Sequence, residues 1–144
     1  MEDRDKRITA HIIPYKINKG SFSFFLQKRS DDAERNPGGL SMFGGGIEKG
    51  ETLEQGMLRE TKEELNFTPS DYFYLGGYGD DYSVSHYYAV EVNDDFEASI
   101  KIDEGDYGRF FTEEEVINET KLSEGNMRVF ADLIRRVKNR QKVR

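Results

Sequence analysis

The chain contains no cysteine and only two histidines among its 144 residues. Without cysteine it has no disulfide, no thiolate nucleophile and no cysteine-ligated metal. His11 and His86 are isolated from each other and read as structural or surface residues. No apolar run approaches the length of a bilayer-spanning helix, and Met1–Arg7 lacks the apolar core of a signal peptide, so a cytoplasmic protein with no membrane partner is expected. Positive charge is also short: 21 Lys and Arg stand against 28 Asp and Glu, a net charge of −7. Nonspecific nucleic-acid binding rests on neutralising phosphates, so no stable nucleic-acid partner is expected. There are no internal repeats, linkers or low-complexity segments. The length suits a single domain spanning residues 1–144, and eighteen Phe and Tyr set it apart from disordered chains despite 34% charged residues.

What is present concentrates between Gly44 and Phe67, GGGIEKGETLEQGMLRETKEELNF. Thr52 followed by Gln55 is a capping-box signature, which predicts a helix beginning just after Thr52. Leu53, Met57 with Leu58, Thr61 and Leu65 recur at helical spacing and mark its buried side. Asn66 stands where a left-handed C-cap is expected. Glu60, Glu63 and Glu64 fall at i, i+3 and i+4, which stacks three carboxylates on one patch of helix surface. Like charges at that spacing repel, and the C-terminal dipole of the helix disfavours anions. A hard divalent cation held by carboxylate oxygens resolves both conflicts; a solvated acidic face with Arg59 as partial counterweight is the plainer alternative.

Six of the fourteen glycines lie between Gly38 and Gly50. The turn is not a Walker-type phosphate loop, because Glu51 stands where lysine is required after Gly45 and Gly50. Nor is it a dinucleotide fingerprint, because Lys49 occupies the third glycine position after Gly44 and Gly46.

The pattern resembles the Nudix box, carried here by Gly45, Glu51, Arg59, Glu60, Thr61, Glu63, Glu64, Asn66 and Phe67. Every charged position matches. Thr61 replaces an apolar residue and Asn66 replaces a glycine; asparagine tolerates the left-handed backbone, and the Thr61 hydroxyl can bond back to its own helix. Phe43 stands where proline is frequent. The resemblance implies an α/β (α+β) fold, an α/β/α sandwich around a central mixed sheet. It further implies Mg²⁺- or Mn²⁺-assisted hydrolysis of a phosphoanhydride in a nucleoside diphosphate linked to another group, a small-molecule nucleotide substrate. Glu60, Glu63 and Glu64, with a backbone carbonyl of the glycine turn at Gly45, would hold the ion. A box glutamate (Glu63 or Glu64) or Glu104 from a later acidic loop, with Asp106 as competitor, would act as base. Arg59 would orient a glutamate, and Glu51 would brace the turn or an outer metal. On the substrate side stand Gly44 and Gly45 of the turn, Arg29 closing a strand toward a phosphate, and Tyr82 as a base-stacking candidate. No proline follows residue 69, so the mark of the ADP-ribose subgroup is absent. A nucleotide-binding regulatory domain without turnover is the rival reading. The choice among NTP, dinucleoside polyphosphate and nucleotide sugar, and the formation of a homodimer, stay open at this level.

Elsewhere, strands are predicted at Arg7–Tyr15, with Pro14 marking an edge or an end, at Phe22–Arg29, Leu40–Phe43, Tyr72–Gly79 and Ser83–Val92, and at Glu97–Asp103. Thr112 to Glu115 forms a second capping box opening a short helix. Ser123 is placed to cap a last helix with Met127, Phe130, Leu133 or Ile134, and Val137 on one face and a basic end.

Overall fold

The computed structural model describes residues 6–28, 31–32, 38–79, 81–102, 107–119 and 124–143. Its spine is β1 (Arg7–Asn18), the central strand of a seven-stranded mixed sheet. One edge of β1 runs parallel to β6 (Ser83–Glu91), from Arg7 opposite Ser83 to Tyr15 opposite Glu91. The other edge is shared: Thr9–Ile12 pair with β4 (Phe43–Gly46), and Tyr15–Asn18 pair with β2 (Ser21–Lys28). The two strands part beyond this point, and the chain enters the fork with β3 (Leu40–Ser41) on β2 and β4 on β1. The single strand expected at Leu40–Phe43 is therefore two short ones. The fork inserts the glycine turn into the middle of the sheet.

Pro14 is neither at an edge nor at an end, and the register explains its tolerance. The Tyr15 carbonyl accepts from Val92 N–H on the β6 side, while the Ile8 carbonyl accepts from Ile47 N–H on the β4 side. Backbone groups alternate sides along a strand, so the missing donor of Pro14 faces the gap between β4 and β2.

β5 (Phe73–Gly79) pairs with β6 as the expected hairpin and forms the outer edge. Arg136 donates to the carbonyls of Tyr74 and Leu75, which blunts that edge. β7 (Tyr107–Thr112) pairs with β2 along its far side, a strand the sequence reading did not mark. The predicted strand at Glu97–Asp103 is instead α2 (Phe96–Ser99), a single turn, followed by a segment whose Lys101 N–H donates to the Leu65 carbonyl. Buried Phe96 takes the place of a ladder, packing edge-on to Phe25, Phe67 and Phe110, while Ala98 stays exposed.

Helices cover both faces. α1 (Leu53–Leu65) lies over Ala10, Ile12, Phe25, Phe43, Tyr88 and Val90. α3 (Glu113–Ile117) and α4 (Glu124–Val143) cover Ile13, Phe24, Tyr87, Ala89 and Phe111. Val129, Phe130, Leu133 and Val137 are the buried positions of α4. Among the described residues no helix is long and apolar enough to cross a membrane.

Candidate active site

α1 begins and ends as its sequence demands. The Thr52 hydroxyl accepts from Gln55 N–H at 3.1 Å, and the Gln55 side chain accepts from Thr52 N–H at 2.9 Å. At the other end Asn66 adopts φ 53° and its N–H reaches the Lys62 carbonyl. Met57, Thr61 and Leu65 are buried, and the Thr61 hydroxyl donates to the Met57 carbonyl at 2.7 Å. This satisfies the one polar group on the packing side, so threonine is accommodated where the box has an apolar residue.

The buried side orients the rest of the helix toward the glycine turn. Phe43 stacks on Phe25 at 5.7 Å and anchors the strand leading into that turn. Gly44 has φ +154°, and a Cβ there would collide with the Ala10 carbonyl. A Cβ on Gly45 would lie 2.7 Å from the Glu60 carboxyl carbon. The two glycines thus let an acidic helix approach bare backbone.

Arg59 is the hub. It donates to Glu51 through Nε at 2.7 Å and through a terminal nitrogen at 3.0 Å, to Glu60 at 3.0 Å, to Glu63 at 3.4 Å and to the Gly46 carbonyl at 3.0 Å. Glu48 is a further ion-pair partner at 3.5 Å. The fork to Glu51 is the bidentate geometry at which arginine excels. It raises the Arg59 pKa still further and holds the Glu51 carboxyl below the usual carboxylate range, aided by the Glu48 N–H that donates to Glu51 at 2.8 Å. Glu51 therefore ties the turn to the helix. Glu48 was not singled out from the sequence, though its spacing from Glu51 across the Gly50 turn was a readable signal.

Glu64 behaves differently. Burial pushes its carboxyl up, to about 8; the adjacent Glu60 charge and a hydrogen bond between the two carboxyls push the same way, opposed by the Gly44 N–H. A proton on Glu64 turns a repulsive contact into a hydrogen bond. Glu60 and Glu64 are thus brought together against Gly44 and Gly45, whereas Glu63 turns toward Arg59 with its side chain 59% exposed. Among the described residues no three acidic or imidazole groups stand ready-made around one point. The donor chemistry nevertheless fits a hard divalent ion: two crowded carboxylates beside a glycine backbone, with oxygen donors only.

Of the substrate-side candidates, Tyr82 is 71% exposed at the start of β6, at the same end of the sheet as the glycine turn. Arg29, Glu104 and Asp106 lie outside the described residues, as does Ser123. His11 sits directly beneath Gly44, stacked on Tyr87 at 5.1 Å with Nε2 2.9 Å from the Thr9 hydroxyl. Among the described residues its buried Nδ1 has no hydrogen-bond partner, and burial lowers its pKa to about 4, so it supports the turn as a neutral ring. His86 pairs with the Tyr74 hydroxyl at 2.8 Å.

A mixed sheet between helical layers, with an arginine-clamped glutamate helix docked on a glycine turn, is a Nudix-type α/β/α sandwich. The chain belongs to the Nudix hydrolase family: the NUDIX domain model matches residues 5–133. Its structure resembles MutT studied from Aliivibrio salmonicida and Vibrio cholerae, at 23% identity over 91% of this chain and 98% of that one, with a TM-score of 0.71. It also resembles an Ap4A hydrolase from C. elegans, at 20% identity over 90% and 98% of the two chains, TM-score 0.66. A MutT/nudix family protein from Enterococcus faecalis aligns at 19% identity over 78% of this chain, TM-score 0.62, and this chain spans 46% of its length. No curated protein matches the chain by sequence.

Proposed function

We propose that the protein hydrolyses a phosphoanhydride bond in a nucleoside triphosphate or related nucleotide, a nucleoside diphosphate linked to another group, with Mg²⁺ as the working ion and Mn²⁺ as its substitute. The observation that carries this is the Glu60–Glu64 contact against Gly44 and Gly45, beside an Arg59 that bonds Glu60 but shares its donors with Glu51 and Glu63. Glu60, Glu63 and Glu64, with the Gly45 carbonyl, are the residues that would hold the ion. When bound, it neutralises substrate phosphates and lowers the pKa of water. Arg59 positions Glu60 and Glu63 and locks the turn through Glu51. Glu64, in its ionised form, takes the proton as water attacks phosphorus and the anhydride P–O bond breaks, releasing the two phosphate products; Glu104 is the competing base. Arg29 would meet a substrate phosphate, the Gly44–Gly45 backbone would lie along it, and Tyr82 would stack on the base.

The test is release of phosphate and pyrophosphate with Mg²⁺ from dNTPs, NTPs, dinucleoside polyphosphates, ADP-ribose and nucleotide sugars, with Glu63→Gln as control. Metal-dependent cleavage of one class, lost in the control, is the expected result. Nucleotide-dependent thermal stabilisation with no turnover on any class would replace hydrolysis by binding alone.

A further inference from the structure

A second concavity opens well away from the glutamate cluster. It is a cavity of about 840 Å³ at the carboxyl end of the parallel β1–β6 pair, built by the α1–β5 loop, the end of β6, α2 and the last turns of α4. It shares no residue with the turn or with Arg59, Glu60, Glu63 and Glu64. Tyr15, which lines it, is four residues along β1 from His11 under Gly44, roughly 13 Å at strand rise. Its size suits a small-molecule site.

The lining is chemically one-sided. Half-buried Phe67 and Phe73 supply aromatic surface, with the buried rings of Tyr15 and Phe96 behind them. Asp71, Glu91 and Asp95 stand exposed at the rim, and among the described residues none of these side chains has an ion-pair partner. Asp71 is held in left-handed backbone at φ 56°. Among the described residues the cavity's single cation, Arg140, already lies over the Phe73 ring at 4.7 Å, so a positive group on this aromatic wall is part of the fold. Aromatic faces attract cations, and the carboxylates complement ammonium groups at the mouth. Among the described residues an anionic ligand such as a nucleotide would face three carboxylates against one guanidinium.

We propose that this cavity is a binding site for an aliphatic polyammonium ligand, its methylene stem on the aromatic floor and its ammonium groups at Asp71, Glu91 and Asp95. The site is independent of the hydrolytic reading and would stand if that reading fell.

The experiment titrates full-length ¹⁵N-labelled protein with spermidine, without nucleotide or divalent metal, and follows amide shifts. Hexaamminecobalt(III), of equal charge but without a methylene stem, serves as comparison. Saturable shifts confined to 67–73 and 90–99, at lower concentration for spermidine than for the cobalt complex, are expected. Glu91→Gln and Asp95→Asn should each weaken binding about two- to fivefold, the scale of a single exposed ion pair. Arg140→Gln should strengthen it by removing a competing cation. Shifts centred on 44–64, equal response to both cations, or indifference to all three substitutions would overturn the site. Weakening by Arg140→Gln together with strengthening by the acid substitutions would assign it to an anion instead.

Discussion

α1 and α3 open with the same device and carry the same cargo at opposite ends. Each has a threonine capping box, Thr52 with Gln55 and Thr112 with Glu115, and each bears three glutamates within five positions. In α3 the acids Glu113, Glu114 and Glu115 occupy the first turn, where the helix dipole welcomes them. Glu113 accepts from Phe22 N–H, and Glu115 accepts from Arg109 at 2.8 Å and sits below the usual carboxylate range because of that bond. In α1 Glu54 alone sits in the first turn, while Glu60, Glu63 and Glu64 occupy the last turns, against the dipole, and burial beside Glu60 pushes Glu64 up rather than down. The same residue type is settled where it agrees with its surroundings and frustrated where it opposes them.

The largest effect should come from removing that opposition. Glu64→Gln should lower turnover by on the order of a hundredfold or more, beyond the cost of losing an outer supporting group. The same change should raise the melting temperature of the metal-free protein, since a neutral amide needs no proton to sit beside Glu60. Reduced activity with reduced metal-free stability would show that the pair is not frustrated. Arg59→Ala should cost about ten- to a hundredfold in activity through misplaced glutamates, with Arg59→Lys rescuing little because the bidentate fork is lost.

Gly44→Ala should destabilise by about 1–3 kcal/mol, because its backbone and its contact with Ala10 both exclude a side chain. Denaturant titration measures it; a neutral result would mean that the turn can move away from β1.

The pH dependence separates Glu64 from His11. Glu64 has its folded pKa raised, so the metal-free protein binds more protons than the unfolded chain between about 4.5 and 8 and loses stability as pH rises through that window. His11 has its folded pKa lowered from 6.5 to about 4, so its contribution is complete above 6.5 and lost as pH falls toward 4. Each is a slope of stability against pH, and a divalent ion should flatten the first and leave the second.

The smallest effects belong to the caps. Thr52→Ala should cost about 1 kcal/mol, and Glu114→Gln on exposed α3 should change neither activity nor stability beyond about 0.5 kcal/mol. A larger loss at Glu114 would mean that the acids of α3 are not merely structural.

Much of this was legible in the residues, because it depends on neighbours a few positions apart. The extent of α1, its Thr52 cap, the left-handed Asn66, the back-bonded Thr61 and the crowding of Glu60 with Glu64 all follow from spacing along one helix. The β5–β6 hairpin is equally local. Alternation misled at Glu97–Asp103, where Ile100 and Ile102 are half-buried against α1 without any ladder. It was silent at Tyr107–Thr112, where Phe110 and Phe111 serve opposite cores.

The sequence by itself determined the family, the acidic helix and the glycine turn it meets, since these are short-range patterns of charge, size and backbone freedom. Only the tertiary structure decided which glutamate is frustrated, because that requires knowing that Glu64 is half-buried beside Gly44 while Glu63 is mostly exposed and turned to Arg59. It also decided that Pro14 can lie mid-sheet and that Glu48 joins the Arg59 cluster. Hydrogen-bond direction and burial are properties of elements brought together from distant positions, and no local spacing encodes them.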